Sequence, residues 1–494
     1  MNQKKKWIWS ILIVLSSWAL YPIFRVLFFL ITDPIPEDKR ILISDKIIND
    51  ASGLNETKHA GIFHVSKQND QNLTALKNLV LDAGKTGKKL IPIGARHSMG
   101  KQSLAEGAIH IDLSGLNNIS LEDNTVRVGA GARWKDVLKY LAPLGLSVEI
   151  MQSNADFSIG GTLSVNAHGW QPNRPPVNSS VLKISLMNKD GKIITCSRKE
   201  NYELFKHVMG GYGMFGIIIE AWIKPVNNEI LRSSHEVISV EKFSEKWSDL
   251  KKKNTRLAFG RLSLSQKNFF KKVLLTSYEP SGKISKEIPE YIPTIKSSLA
   301  RAIFRSSLNS QRGKTFRQRM ENLLGGEAGG VHSRANLMIE PVRIFTNNDK
   351  DKIDLLLEVF VPQKKFSEYT KKAKSIFEKQ SDHLLNVTVR EITKDNDSVL
   401  AYAKTDVFGL VMLFTIDRKS VDQEEQLRKQ ARELYDLSIQ HGGSFYLTYR
   451  NYATHKQIHS SYPVLPKFLN AKKIWDPNEI FYSGFYEYLI SNPK

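Results

Sequence analysis

His97 is the residue whose surroundings point most directly to chemistry. It lies in the loop PIGARHSMG, residues 92–100, directly after the apolar run LIPI. Small residues let successive backbone N–H groups approach a ligand closely, so this loop suits a diphosphate. It lacks the Lys-Ser/Thr ending of a nucleoside-triphosphate loop. A lone loop histidine is more often structural than functional, so composition alone leaves the role of His97 open.

A second polar segment, SNADFSIGGTLSVNAHG, covers residues 153–169. Gly160 and Gly161 predict a tight backbone, and short hydrogen-bonding side chains surround them at Ser158, Thr162, Ser164 and Asn166, with His168 near the end. A narrow polar segment of this kind suits a flat ring with several acceptors, such as the pyrimidine side of a flavin. The alternative is a Ser/Gly-rich surface loop, although the apolar residues within it argue against full exposure.

The third segment, GGYGMFG at residues 210–216, fits the pattern G-x-G-x-x-G through Gly211, Gly213 and Gly216. A dinucleotide fingerprint must follow a strand and begin a helix. Here the motif follows YELFKHVM, which has helical spacing, and precedes the apolar run IIIEAWIKP, which predicts a strand. We therefore reject a Rossmann site and expect a glycine turn that passes close to a bound cofactor.

The elements around these segments predict an α+β fold. NLTALKNLVLDAGKTGKK has helical spacing and ends at glycines, and VLKISLMNKDGKIITCS predicts a β-hairpin around Lys189-Asp190-Gly191. After residue 227 the pattern changes to strands such as KIDLLLEVFVP and VFGLVMLFTID, with helices between them. This indicates an antiparallel sheet covered by helices.

Together, the three segments resemble the FAD-binding domain of the vanillyl-alcohol-oxidase-like (PCMH-type) flavoproteins, in both order and spacing. In that family GARHSMG is similar to the diphosphate loop, and its central histidine bonds to the flavin 8α carbon in alditol and sugar-lactone oxidases. The resemblance implies FAD attached through His97. Members with a second, cysteinyl link need a cysteine near the later block. Cys196, the only cysteine, does not match that position, so we expect one covalent bond.

The resemblance also implies which residues contact the cofactor: Gly94, Ala95, Arg96, His97, Ser98, Met99, Gly100, Ser153, Ser158, Ile159, Gly160, Gly161, Ser164, Asn166, His168, Gly216, Ile218 and Tyr446. The predicted organisation is an N-terminal anchor at 1–31, a linker at 32–57, a two-part FAD-binding domain at 58–226, a substrate or cap domain at 227–440, and a C-terminal segment at 441–494 that returns to the flavin.

The closing segment FYLTYRNYATHKQIHSSYPVLPKFLNAKKIWDPNEIF resembles that of lactone oxidases and decaprenylphosphoryl-ribose oxidase, and Tyr446 matches a flavin-contacting tyrosine. The ribose oxidase has a lysine where this chain has Tyr449, and it lacks the flavin-linking histidine, so its substrate does not carry over.

LLLEVFVP is similar to a cap strand that turns a polar residue, here Glu358, toward the substrate. Glu358 and Tyr449 are candidate bases, Arg450 is expected to orient the substrate and His168 to brace the pocket. Arg390 and Lys404 are weaker candidates, and a lysine-paired structural role for Glu358 is the alternative.

The resemblance implies oxidation of a CH–OH group in a sugar, alditol, lactone or lipid-linked sugar, with hydride transfer to flavin N5 and oxygen or quinone as acceptor. A dehydrogenase that feeds a membrane quinone and a flavin- or substrate-binding protein without turnover are the alternatives. The histidines are scattered and predict no metal site; His455 and His459 lack a nearby carboxylate.

Charge and hydropathy point to a membrane. The net charge is +21, which favours anionic partners, but no nucleic-acid-binding module is present. Lys4 to Lys6 precede an apolar run from Trp7 to Phe24 that resumes after Arg25, long enough for a transmembrane anchor. A cleaved signal peptide is the alternative, and the balanced flanking lysines leave the orientation open.

The segment 301–324 carries Arg301, Arg305, Arg312, Lys314, Arg317 and Arg319, which suits either a basic helix on a membrane or a solvated loop.

Overall fold

The structure is a computed structural model that describes residues 20–36, 46–67, 69–324, 330–378 and 381–491. The described helices are α1 (20–32), α2 (Asp70–Thr86), α3 (Trp134–Leu141), α4 (Ile159–Ser164), α5 (Tyr202–Val208), α6 (Phe243–Lys252), α7 (Ile295–Ser306), α8 (Gln311–Leu324), α9 (Arg334–Met338), α10 (Phe366–Phe377), α11 (Val421–Gln440), α12 (His455–Ser461), α13 (Leu465–Trp475) and α14 (Gly484–Ile490).

The described strands are β1 (Ile47–Ile48), β2 (Thr57–Lys58), β3 (Gly61–His64), β4 (Leu90–Ile93), β5 (Ile109–Asp112), β6 (Ile119–Glu122), β7 (Thr125–Gly129), β8 (Leu146–Val148), β9 (Val181–Met187), β10 (Ile193–Ser197), β11 (Ile217–Ile223), β12 (Pro225–Asn227), β13 (Glu229–Ser239), β14 (Leu257–Leu262), β15 (Lys272–Ile284), β16 (Val331–Ser333), β17 (Lys352–Pro362), β18 (Leu384–Ile392), β19 (Val407–Asp417) and β20 (Ser444–Phe445).

Local sequence signals explain the boundaries of several elements. Helix α2 begins where the Asn69 side chain accepts a hydrogen bond from a first-turn N–H, and it ends at Gly87, which adopts φ 73°. The predicted hairpin is confirmed: β9 and β10 pair antiparallel around a turn in which Gly191 has φ 67°. The glycine motif at 210–216 lies between α5 and β11, as predicted, so it is not placed as a Rossmann loop.

The first part of the chain contains two larger sheets, besides the two-stranded pairs β1-β2 and β12-β8. Strands β3, β5 and β4 form a parallel sheet, and β10, β9, β11, β7 and β6 form a five-stranded sheet with antiparallel pairing. A larger, eight-stranded sheet follows in the order β16-β13-β15-β14-β18-β19-β17-β20, paired antiparallel throughout. This arrangement agrees with the predicted α+β class and the predicted antiparallel cap sheet.

The segment predicted as a polar linker is partly folded. From residue 46 onward the chain forms β1 and β2, and the side chains of Asp50, Ser52 and Asn55 are buried. Asp50 accepts hydrogen bonds from the Ser52 hydroxyl at 2.6 Å and from Asn55 Nδ2 at 2.7 Å. These buried aspartate, serine and asparagine side chains bond to one another, so residues 46–57 are a packed part of the first unit. The prediction of a linker is wrong for these residues.

The predicted anchor is described only from residue 20 onward. Residues 1–19, which hold most of the apolar run, lie outside the described residues. Among the helices that the structure does describe, none is both long and apolar enough to span a bilayer. Residues 20–32 form α1, which packs through Val26 against Ala302 and Ile303 of α7.

The basic segment 301–324 forms α7 and α8, and several of its cations point inward. Arg301, Arg305, Lys314 and Arg317 are buried. Arg305 contacts Asp354 at 3.1 Å, and Arg317 contacts Glu321 at 2.7 Å. Arg301 pairs with Asp33, and Lys314 donates to the Ser381 carbonyl at 2.6 Å. Neither a basic helix facing lipid nor a solvated loop describes these four residues, because their polar ends bind partners inside the protein.

Candidate active site

One large cavity brings the three glycine-containing segments together with the cap sheet. Its volume is about 1810 Å³. Its lining includes most of the residues predicted to contact the cofactor: Gly94, Ala95, Arg96, His97, Ser98, Met99, Ser153, Ser158, Gly160, Gly161, Ser164, His168, Gly216, Ile218 and Tyr446. The cap contributes Glu358, Arg390 and Tyr449 to the same cavity. Residues far apart in sequence therefore face one site.

The His97 loop follows β4 and lies very close to the second segment. Ala95 N–H donates to the Ser158 hydroxyl at 3.2 Å. A Cβ atom added to Gly94 would lie 2.1 Å from the same oxygen, so only glycine fits there. The His97 ring lies on the cavity wall, with its centroid 4.3 Å from that of Phe157. The two segments thus form a narrow cradle lined by backbone and small polar groups.

The residues that support this loop on its side away from the cavity are absent from the predicted site residues. Asn55 Nδ2 donates to the Met99 carbonyl at 3.0 Å, and Ala51 N–H donates to the Arg96 carbonyl at 3.1 Å. Asp50 also accepts from Lys101 N–H at 3.2 Å. The folded residues 46–57 therefore position the loop that carries His97. The D-A-S-G-L-N pattern of turn-forming residues was the available signal.

Three predicted cofactor contacts lie outside the cavity lining. Ile159 is fully buried in the core, and its N–H donates to the Ala132 carbonyl at 2.9 Å. Asn166 adopts φ 47° and donates to Asp395 at 2.9 Å, away from the cavity. The Gly100 N–H donates to Gln102 at 2.8 Å. Their role is structural, because each fixes the backbone of a segment whose neighbours line the cavity.

Glu358 and His168 form the closest pair of ionisable groups in the cavity. Glu358 Oε1 lies 2.6 Å from His168 Nε2, and both side chains are buried. His168 Nδ1 lies 3.1 Å from the Gly169 carbonyl, which can only accept, so Nδ1 carries a hydrogen. The short contact on the other side then needs a proton of its own, held either by Nε2 or by the carboxyl group. The two groups are therefore joined by one proton in a short hydrogen bond.

Two further cavity residues act on Glu358. The Tyr449 hydroxyl donates to Glu358 Oε2 at 3.4 Å, a long contact. Burial, with a smaller contribution from Glu358, raises the pKa of Tyr449 well above its ordinary value, so this phenol stays protonated at neutral pH. Arg390 donates to the Ser153 hydroxyl at 2.8 Å, and its Nε finds no hydrogen-bond partner among the described residues. Burial lowers the pKa of Arg390, and the charge of Glu358 opposes that effect.

The prediction that Arg450 orients the substrate is wrong in geometric terms. Arg450 lies outside the cavity lining, where it donates to Asn55 at 2.7 Å and pairs with Glu424 at 2.5 Å. Arg390, the weaker sequence candidate, occupies the position beside Glu358 instead. Lys404 also lies outside the lining. Tyr446 lies in the cavity wall, and its hydroxyl donates to the Val165 carbonyl at 2.7 Å. It supports the second segment.

Comparison with known proteins agrees with the site. Residues 71–197 match a family model described as an FAD-binding domain, so the chain carries a PCMH-type FAD-binding domain. Such a cofactor fits the cavity, which is lined by glycines and short polar side chains and in which the Gly94 backbone lies close to Ser158. Among curated relatives, cytokinin dehydrogenase 2 of Arabidopsis thaliana is 35% identical over 30% of this chain and 31% of its own length. The D-arabinono-1,4-lactone oxidase of Candida albicans is 25% identical over 44% and 41%.

The corresponding lactone oxidase of Saccharomyces cerevisiae is 24% identical over 39% of this chain and 38% of its own length. The chain thus spans less than half the length of these relatives. The matched model ends before the cap sheet begins. The relatives therefore bear on the cofactor-binding part, whereas the substrate must be argued from the cap residues themselves.

Proposed function

We propose that this protein is an FAD-dependent oxidoreductase that oxidises a CH–OH group of a sugar, alditol, lactone or lipid-linked sugar. The observation that carries the proposal is the Glu358–His168 pair, which lies in the same cavity as the His97 loop. When bound, the FAD supplies the hydride acceptor, its N5 atom. The protein supplies the rest: a base, a hydrogen-bond donor and a cation, arranged around one buried carboxyl group.

Glu358 is the group that accepts the proton of the substrate hydroxyl. Its Oε1 is occupied by His168, which leaves Oε2 for the substrate, beside the Tyr449 hydroxyl. A general base must lie within hydrogen-bond reach of the proton that it removes. The structural alternative of a lysine pair does not apply, because the partner of Glu358 is a histidine. Arg390, with an unpartnered Nε, is placed to orient an oxygen of the substrate.

His97 is the proposed attachment point of the FAD. It lies on the cavity wall in the middle of the loop that resembles the family's diphosphate loop. Cys196 is fully buried and outside the lining, and burial raises the pKa of its thiol to about 12. A thiol in that state is inert toward a cofactor. The proposal is therefore a single covalent bond, in an FAD-binding unit of residues 58–226 against which residues 46–57 pack, with a cap at 227–440 and a returning segment at 441–494.

A second proposal concerns the membrane. The apolar run that begins at Trp7 continues into α1, whose outward side chains are exposed. We propose that residues 1–31 attach the protein to a membrane, and this attachment favours a quinone over oxygen as the electron acceptor. Reoxidation of the reduced flavin in vesicles with and without a quinone analogue, under anaerobic conditions, separates the two acceptors.

The reaction is tested by anaerobic titration of the purified full chain. D-Arabinono-1,4-lactone, a set of alditols and free sugars, an alkyl glycoside and a cytokinin are each added while the flavin absorbance is followed. Bleaching by a hydroxylated compound, lost in a Glu358→Gln variant, is the expected result. Bleaching by the cytokinin alone would assign a CH–NH donor instead. Bleaching by none of them, in a protein that dithionite reduces fully, would favour the binding protein without turnover.

A further inference from the structure

Helix α1 is held against the cap by contacts with α7. Arg25 donates to the carbonyl oxygens of Ser306, the last residue of α7, and of Leu308 just after it, at 3.0 and 2.9 Å. At the other end of α1, Asp33 accepts from Arg301 at 2.7 Å. The side chains of this pair are nearly inaccessible to solvent. The position of α1 is thus defined relative to the cap.

The side of α1 that faces away from α7 is apolar and exposed. Only Val26 of this helix is buried, and the outward side chains are Leu20, Tyr21, Ile23, Phe24, Leu27, Phe28, Leu30 and Ile31. Phe28 is 60% exposed and Ile31 is 80% exposed. Contiguous apolar surface of this kind is unusual on a protein that faces water on every side.

The same surface continues along α7 after α1 ends. Ile295 and Leu299 lie two turns and one turn, respectively, before Ala302 and Ile303, on the side of α7 that α1 covers farther along the helix. They are 88% and 40% exposed, and Ile292, in the segment before α7, is 64% exposed. We define α1, Ile292, Ile295 and Leu299 as the apolar platform.

The platform borders the active-site cavity. Ile292 and Leu299 belong both to the platform and to the cavity lining, and Ile303 and Phe304 of the same helix also line the cavity. Helix α7 therefore separates the platform from the interior. Because Ile292 and Leu299 are exposed and also line the cavity, the cavity reaches the protein surface at the platform.

We propose that the apolar platform lies in the headgroup–acyl boundary of a phospholipid bilayer, so that the cavity opens toward lipid. Two further observations favour lipid over a protein partner. The sequence before α1 is apolar from Trp7 to Ala19 and begins with Lys4 to Lys6, and such a run partitions into hydrocarbon. Exposed Lys296 lies next to Ile295 on α7, as expected for a surface beside anionic headgroups. A compound that enters by this opening is one that partitions into the membrane.

The test is the environment of spin labels on the full chain in phosphatidylcholine vesicles that contain phosphatidylglycerol. Cys196 is buried and unreactive, so a single introduced cysteine takes the nitroxide. The sites are Ile292→Cys, Ile295→Cys and, as a matched control, Ile474→Cys on α13, which is 67% exposed and outside the platform. Collision of each label with oxygen and with a water-soluble nickel chelate is measured.

Lipid contact predicts frequent oxygen collisions and few chelate collisions at 292 and 295, and frequent chelate collisions at 474. Frequent chelate collisions at all three sites would overturn the proposal, because the platform would then face water. Few collisions of either kind at 292 and 295 would overturn it as well, because protein would cover the platform. The readout does not depend on turnover, so failure of the proposed reaction leaves it interpretable.

Discussion

Replacement of Glu358 by glutamine tests the proposed base while the shape of the site is kept. The amide can still contact His168 at the 2.6 Å position but cannot take up a proton. Loss of a general base lowers rates by about 10²- to 10⁴-fold. Tyr449→Phe removes only a 3.4 Å contact, for which about 1 kcal/mol, or roughly five-fold, is expected. The assay is anaerobic stopped-flow reduction of the flavin with a substrate that bleaches the wild-type protein.

A double-variant cycle sharpens the prediction. If Glu358 and His168 share one proton and act as a unit, His168→Gln slows flavin reduction by a similar factor, and the double variant is hardly slower than either single one. Glu391→Gln is the matched control: this carboxylate is buried on β18 of the same sheet but lies outside the cavity lining. Flavin reduction within about three-fold of wild type in Glu358→Gln, or multiplicative effects in the double variant, would refute the reasoning.

Three further predictions follow from other contacts. Gly94→Ala, which places a methyl group 2.1 Å from a hydroxyl oxygen, is expected to lower the FAD content of the purified protein, whereas Gly61→Ala, with open space around it, is not. Burial lowers the pKa of His110 to about 4. As the pH falls, His110 therefore takes up a proton in the unfolded state before it does so in the folded state. The free energy of unfolding decreases as the pH falls from 6.5 toward 4. By linkage the free energy of unfolding falls by about 2 to 3 kcal/mol at pH 4.5, which urea unfolding measures, and this loss is absent in His110→Gln. Asp33→Asn removes the buried partner of Arg301, and faster hydrogen exchange in residues 20–32 is expected; unchanged exchange would mean that other contacts hold α1.

The sequence predicted the cradle well because its signals are local. Glycine turns such as Gly87 and Gly191, the helical spacing of α2 and the alternation in β9 and β10 each determine structure over a few residues. The glycine motif at 210–216 could be judged by its flanking elements for the same reason. The order of these segments then indicated the FAD-binding domain, which the family match supports.

The partners of the site residues depended on tertiary contacts that sequence spacing does not contain. Arg450 was preferred over Arg390 because it lies next to Tyr449 in the chain, yet its side chain points to Glu424. The pairing of Glu358 with His168 joins residues 190 positions apart. Asn55 supports the His97 loop through a hydrogen bond to a residue far along the chain, and no local sequence pattern predicts that contact.

The cations of α7 and α8 illustrate the same limit. A run of arginines predicts a charged surface, but Arg301 and Arg305 are held inside by Asp33 and Asp354. Only the folded chain shows that these two arginines are buried while the apolar Ile295 and Leu299 of α7 are exposed.

Covalent attachment of FAD through His97 is tested most directly by denaturing the purified full chain in acid and locating the flavin. The account predicts that the yellow colour and flavin fluorescence stay with the precipitated wild-type protein. In His97→Ala they should move to the supernatant, with FAD still bound before denaturation because the cradle is intact. Flavin released from the wild-type chain, or retained by His97→Ala, would contradict the attachment.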